Sequence, residues 1–361
     1  MKPTCARHPF IRRTAVLLIA AALLLNACGS GKQPTPVTGE NYYLDTVCQI
    51  TIYDMNGEVA GGGTLDEAAA EEAIAQAFDR CRALDKMLSR TVEVSDVSRI
   101  NNANGEWVEV NDETVEVISA GARYGDLSDG GFDITIGTVT DLWDYHADDP
   151  VVPDEAAIQE ALSHVDYHNI EIDGNRIRLL DPEARIDLGG IAKGYISDEM
   201  ADVLVEYGVT SGIVNLGGNI VVIGEKPAAY SSSSGTGSPF VIGIEKPYSD
   251  RTELIGRTHA ADQVVITSGV YERQFTVDGK VYHHVLSTST GYPVETDLDA
   301  VSLISARGSA MDTDAMSTIC LIKGYEDAAR LIEGMDGFEA VFCKADGSVL
   351  TSSGMDYTPE S

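Results

Sequence analysis

Strand-like runs follow one another in the second half of this chain, and that order constrains the fold more than any single motif does. "GIVNL" (212–216), "NIVVIG" (219–224), "FVIGIEK" (240–246) and "QVVIT" (263–267) come in succession. "RQFTVDGKVYHHV" (273–285) then sets Asp278-Gly279 between two alternating runs, the strongest hairpin signal in the sequence. "AVSLISA" (300–306) and a hairpin over "EAVFCKADGSVL" (339–350) flank two helical stretches, roughly 309–322 and 325–334. A doubly wound parallel fold would need regular strand–helix alternation. The mixture of helices and hairpins instead predicts an α+β fold: largely antiparallel mixed sheets with flanking helices, in a single compact domain over 41–355, with a tail over 356–361.

The first half reads as helices with a few short strands. "TVCQITIYD" (46–54) is a first strand, and Thr64 with Glu67 forms a capping box. The helix it opens repeats Ile74, Phe78, Cys81, Leu84 and Leu88 at helical spacing. "WVEV" (107–110) is a short strand, 111–123 and 154–164 are helical, and "IRLL" (177–180) leads into "ARIDLGGIAKGYISDEMADVLVEYG" (184–208). There a β-branched run reaches Asp187, breaks at Gly189-Gly190, and starts an amphipathic helix with Lys193 in its first turn. "AAYSSSSGTGSP" (228–239) reads as an insertion without chemistry.

Residues 1–27 read as a signal peptide. Lys2, Arg7, Arg12 and Arg13 precede "AVLLIAAALLL" (15–25), an apolar run too short for a comfortable membrane span. "LNAC" (25–28) resembles a bacterial lipobox, which implies cleavage before Cys28 and lipid on its thiol. An uncleaved anchor is the other reading, and both place the domain outside the cytoplasm. Residues 28–40 read as a flexible linker.

Without those four basic residues, 21 Lys and Arg stand against 57 Asp and Glu, a balance of −36. Such a surface repels nucleic acid and anionic headgroups, so membrane attachment is expected through the lipid alone. Any phosphate ligand must be held by local devices. Cys48, Cys81, Cys320 and Cys343 show no C-x-x-C spacing and read as buried free thiols.

Four segments could carry chemistry. "GGIAKG" (189–194) is neither a P-loop nor G-x-G-x-x-G, but amides at a helix start favour an anion and Lys193 can add a charge; a plain turn capped by Asp187 is the alternative. In "SAMDTDAMSTICLIKG" (309–324), Asp314 and Thr318 share a helical face and offer hard oxygen to Mg²⁺ or Ca²⁺. Acidic residues serving a helix N-terminus are the competing reading. "VYHHVLSTSTGYP" (281–293) offers His283 and His284 to opposite faces of a strand end, and a histidine titrating near neutrality can accept a proton. "GGFDITIG" (130–137) could orient a ring with Phe132 and Asp133, or simply start a strand.

In this order the segments resemble the ApbE family of FAD:protein FMN transferases. The matching stretches are "LSRTVEVSDVSRIN" (88–101), "GFDITIG" (131–137), "IDLGGIAKGY" (186–195), "VNLGGN" (214–219), "ITSGVYERQF" (266–275), "YHHV" with "TGYP" (282–293) and "DAMST" (314–318). The resemblance implies that FAD is split at its pyrophosphate, that FMN moves to a Thr or Ser hydroxyl of an extracytoplasmic flavoprotein, that AMP is released, and that Mg²⁺ serves the site. It implies that Asp314, Thr318 and the Gly190 carbonyl hold the metal and that Asp187 and Lys193 contact the nucleotide. Gly131, Phe132 and Asp133 would line the pocket, closed by backbone near Val285, and Leu44 and Thr91 complete the binding set. His284 is the candidate proton acceptor. Three positions depart from the family's pattern: Leu44-Asp45-Thr46 stands where Met-Gly-Thr is usual, Thr91 where an aromatic is usual, and Ser287 where an acid is usual. An FAD pyrophosphatase and a non-enzymatic flavin-binding lipoprotein are the alternatives, the metal pair speaking against the second.

Overall fold

Residues 37–52 form a hairpin where a single strand is expected. The computed structural model describes residues 35–53, 65–145, 147, 149–230, 237–249 and 252–360. In it β1 (Val37–Tyr43) pairs antiparallel with β2 (Thr46–Ile52). Strand therefore begins at Val37, inside the expected linker. Leu44 and Asp45 make the turn with φ of 53° and 57°, the left-handed geometry that suits a two-residue hairpin loop. Cys28, the lipobox and the signal segment lie outside the described residues.

The helix α1 (Glu67–Leu88) is capped by Asp66, whose carboxylate accepts the Ala69 amide at 2.9 Å. The cap thus falls at Asp66 and not at Thr64, which is outside the described residues. The face Ile74, Phe78, Cys81, Leu84 and Leu88 is buried as its spacing requires. Then come α2 (Asp96–Asn101), β3 (Val108–Glu109), α3 (Asp112–Leu127), α4 (Gly137–Thr140), α5 (Glu155–Leu162), β4 (Ile170–Asp173), β5 (Arg176–Leu179) and α6 (Ala192–Glu206).

Strands β6 (Gly212–Leu216), β7 (Asn219–Ile223), β8 (Phe240–Glu245), β9 (Leu254–Ala260) and β10 (Gln263–Gly269) follow. The hairpin β11 (Gln274–Val277) and β12 (Lys280–His283) turns at Asp278-Gly279, with φ of 52° and 78°. The chain continues through β13 (Leu298–Ala306), α7 (Ala310–Lys323), α8 (Tyr325–Glu333), β14 (Glu339–Lys344), β15 (Val349–Thr351) and β16 (Thr358–Pro359). The last strand pairs Thr358 with Arg257 of β9, so the expected tail is stitched into a sheet.

An eight-stranded sheet in the order β1-β2-β6-β7-β10-β13-β14-β15 is antiparallel at every junction. Against it α1 packs on β1, α6 on β6 and β7, α7 on β10 and β13, and α8 on β14. Ile50, Leu216, Val221, Ile266 and Leu303 of the sheet meet Ile196 of α6 and Met316 of α7 in one core. Each such side chain is worth about 1.5–3 kcal/mol of burial. A smaller cluster surrounds Trp143, whose ring lies 6.1 Å from Phe275 and 5.6 Å from Tyr282, and holds α5 through Ile158. All four domain cysteines are buried and free.

The run into Asp187 is not a regular strand. Its backbone is satisfied by other means: Asn101 takes the Ile186 amide at 2.7 Å and gives to the Ile186 carbonyl at 2.9 Å, as a neighbouring strand would. Arg185 accepts from Gly137, and Asp187 donates to Ile134. The facing segment 130–135 is likewise irregular and not strand, with Ile136 making one isolated parallel bridge to Arg185.

Candidate active site

The bend at Gly189-Gly190 leads into α6, and α7 lies against it. The start of α6 is less open to an anion than its sequence suggests. The Gly189 amide goes to Asp187 Oδ1 at 2.8 Å, Ile191 and Ala192 donate to the Leu188 carbonyl, and Gly194 donates to Asp314 Oδ2 at 2.8 Å. Only the Gly190 and Lys193 amides of this stretch have no partner among the described residues. Nor does Asp187 cap the helix; it closes the preceding turn, and its Oδ2 lies 3.6 Å from Arg90 Nε.

The bond from Gly194 to Asp314 has a second effect. In an uninterrupted helix the Gly194 amide would serve the Gly190 carbonyl. Captured by Asp314, it leaves that carbonyl with no donor among the described residues. Asp314 is 3% exposed, and its Oδ1 also lacks a hydrogen-bond partner there. Thr318 has only a long bond, 3.4 Å, to the Asp314 carbonyl. A Cβ on Gly190 would lie 3.7 Å from Thr318 Oγ1, so the bend and the helix face meet. A carboxylate oxygen, a hydroxyl and an orphaned carbonyl thus lie on two elements in contact, and such a hard-oxygen set would fit Mg²⁺. Among the described residues no group of three or more His, Cys, Asp or Glu could hold a metal, so a cation held here would take its remaining ligands from water or substrate oxygens.

Asp312 and Ser309 do not compete for this role. Asp312 accepts from Arg123 and from the Tyr124 hydroxyl, while Ser309 Oγ bonds the Ala306 carbonyl.

Gly131 and Phe132 pack behind the same helix face. A Cβ on Gly131 would meet Ile322, one turn beyond Thr318, and a Cβ on Gly190 would press the Phe132 ring at 2.9 Å. Phe132 is buried, edge-on to Tyr124, so its ring supports the bend from behind. Asp133 is also spent internally: Oδ1 takes the Thr135 amide and hydroxyl, Oδ2 the Tyr167 amide. Neither side chain lines the cleft that opens beside Lys193. Thr91 is exposed and its hydroxyl bonds Ser89.

A cleft of about 380 Å³ opens beside this cluster, lined by Leu44, Asp45 and Thr46 of the first turn, Lys193, Gly217, residues 245, 246, 248 and 249, and residues 271–274. Lys193 belongs to both cleft and bend. Lys246 and Arg273 line the cleft with it, as do Asp45, Glu245 and Glu272, so three cations and three carboxylates share the site. Lys246 pairs with Glu253 at 2.6 Å, whereas Lys193 and Arg273 have no ion-pair partner among the described residues.

His284 sits at the root of the β11–β12 hairpin, its Nδ1 3.3 Å from the Arg273 carbonyl. Desolvation, then the Arg273 charge, with Lys193 adding to it, pushes its pKa down to about 4. The expectation of titration near neutrality is thereby corrected. His283 points the other way, with Nε2 3.2 Å from the Val294 carbonyl, and burial lowers its pKa as well. Val285 is buried and its carbonyl takes the Val294 amide. Ser287 Oγ accepts the Ser289 and Thr290 amides, capping its own turn, while Thr288 bonds the Gly130 carbonyl and joins the two loops.

Sequence reasoning missed Arg90, which reaches both Asp187 and Asp141, and the Asn101 clasp. It missed Arg273 and Lys246 too, whose proximity to Lys193 depends on the sheet order.

The model of the ApbE family matches residues 44–342. An FAD:protein FMN transferase of Klebsiella pneumoniae is 31% identical over 287 residues, covering 78% of this chain and 86% of its own. One of Treponema pallidum is 27% identical over 347 residues, covering 94% and 93%. Among solved structures, the ApbE protein of Thermotoga maritima superposes with a TM-score of 0.75 at 30% identity, covering 88% of this chain and 97% of its own.

Proposed function

This chain belongs to the ApbE family and is an FAD:protein FMN transferase, and we propose that it moves FMN onto a Thr or Ser hydroxyl of a partner flavoprotein with Mg²⁺ at the site and AMP as the leaving group. The observation that supports this reading is the Gly190 carbonyl left without a donor on a bend that packs against the Asp314/Thr318 helix. Asp314, Thr318 and the Gly190 carbonyl would hold Mg²⁺, which would supply positive charge toward the linked phosphates.

The chain's own residues do the rest. Lys193 reaches from the bend into the cleft, where its charge favours a phosphate oxygen. Phosphoryl transfer asks mainly for alignment and neutralisation, which a rigid bend backed by Phe132 provides. His284 accepts the proton of the acceptor hydroxyl. Its Nδ1 faces a carbonyl and so carries the hydrogen, leaving Nε2 as the basic atom.

A base with a pKa near 4 is neutral throughout the physiological range, so kcat/KM should lose activity only as pH falls through that region. His284→Gln is expected to lower turnover by about 10²-fold and to abolish this acid limb. A variant with parental rates would exclude His284 as the base.

The whole reading is tested by incubating the protein with FAD, Mg²⁺ and a candidate flavoprotein, then weighing the acceptor by mass spectrometry. An added FMN with one AMP per label supports it. AMP and free FMN without a labelled acceptor would make the protein a pyrophosphatase; FAD left intact would make it a binder.

The lipobox supports placing the enzyme on the outer side of a bacterial membrane through lipid on Cys28. Among the described residues no helix is long and apolar enough to cross a membrane. Cys28→Ala should move the protein from the membrane fraction to the soluble one, and unchanged fractionation would count against the anchor.

A further inference from the structure

Asp198 lies one turn beyond Gly194 on α6, and its carboxylate turns toward the start of α7. Oδ2 accepts the Ala310 amide at 2.7 Å and the Met311 amide at 3.2 Å. Amides at a helix start have no partner within the helix, and here a second helix provides one. Ser309, at the cap position, makes no side-chain cap bond. In return Asp314 of α7 takes the Gly194 amide of α6. Each helix thus holds the other's backbone with a carboxylate, and the two bonds lie one turn apart.

We propose that Asp198 is a positioning residue for the cation site: by fixing the start of α7 on α6, it sets the spacing between the Asp314/Thr318 face and the Gly190 carbonyl. The proposal rests on the reading that a divalent cation binds there. Close approach makes the spacing sensitive. A Cβ on Gly194 would come within 2.2 Å of the Ala310 carbonyl oxygen, so the helices meet backbone to backbone with no long side chain to absorb a shift. The carboxylate is also held against an opposing cost. Its Oδ1 is buried without a partner among the described residues, and desolvation raises its pKa to about 6. The charged groups around it offer no relief: Asp202 and Asp312 are both acidic, and Arg307 lies 3.4 Å from Asp202. Two backbone amides are its hydrogen-bond partners among the described residues, and both belong to α7.

Mn²⁺, read by its paramagnetic resonance signal, is titrated into FAD-free protein at a temperature well below unfolding. Asp198→Ala is expected to weaken binding by about tenfold or more, as loss of a supporting partner commonly does. Asp198→Asn keeps an oxygen for both amides and should stay within about threefold of the parent. Ile158→Val, in the separate cluster around Trp143, should bind as the parent does. Added Mg²⁺ should restore turnover to Asp198→Ala, which a loss of folded protein would not permit. Should that variant fail to fold, Asp198→Ser, too short to reach both amides, takes its place. Parental affinity in Asp198→Ala, or a loss in Asp198→Asn as deep as in Asp198→Ala, overturns the proposal while leaving the metal reading intact. No Mn²⁺ binding by the parent overturns both.

Discussion

Asp314→Asn stops AMP release from FAD while the protein stays folded. The amide oxygen still accepts the Gly194 amide, so the junction of α6 and α7 is kept, but the negative charge that attracts a divalent cation is gone. Turnover should fall by about 10³-fold or more, the scale seen when a principal electrostatic stabiliser is removed. Chromatographic assay of AMP at saturating FAD and Mg²⁺, with a thermal melt beside it, gives the answer. A rate within tenfold of the parent would remove Asp314 from the metal. Asp314→Ala is the less informative change. It deprives the Gly194 amide of its acceptor, at a cost of about 1–3 kcal/mol if unreplaced. The same amide could also turn back to the Gly190 carbonyl, so that two ligands would be lost by one substitution.

Gly194→Ala is the second large effect, and it acts through packing. The new methyl would meet the Ala310 carbonyl oxygen at 2.2 Å, its carbon at 2.6 Å and Asp314 Cβ at 2.7 Å. Two of these are backbone atoms and cannot swing aside. α6 and α7 must move apart, at about 1–3 kcal/mol or more for overpacking of this kind. Turnover should fall further than the folded fraction does, because the same movement separates Asp314 from Gly190. Urea unfolding together with turnover per folded molecule separates the two effects. A parental midpoint would show that the helices yield freely, contrary to the close contact described.

Much of the architecture could be read from the chain because its signals were local. The Asp278-Gly279 turn, the apolar stripe of α1 and the alternation in β6 to β8 each depend on a few neighbouring residues. Elements decided by distant partners could not be read this way. Val37–Tyr43 became strand because β2 had an edge to offer, and residues 358 and 359 because β9 did. The run through Ile186 carried strand character, but the Asn101 side chain took the place of a neighbouring strand. At the site, Asp314 and Thr318 were legible as a helical pair and Gly190 as a bend. That the bend and the helix meet, and that Gly194 releases the Gly190 carbonyl, required the packing of two helices far apart in sequence. Asp133 and Phe132 show the reverse. Residue types suited to a ligand proved to be engaged in holding their own loop.

A cleft with as many carboxylates as cations, set in an acidic chain, has a kinetic consequence. FAD is an anion, and from afar it meets the whole acidic body; only within about 10 Å, the screening distance near 0.1 M salt, does it meet Lys193, Lys246 and Arg273, which share the cleft with Asp45, Glu245 and Glu272. Capture should therefore be slowest in dilute buffer and quicken as ionic strength first rises, the opposite of ordinary electrostatic steering. The anionic substrate must cross a repulsive outer field before it reaches the charges that hold it.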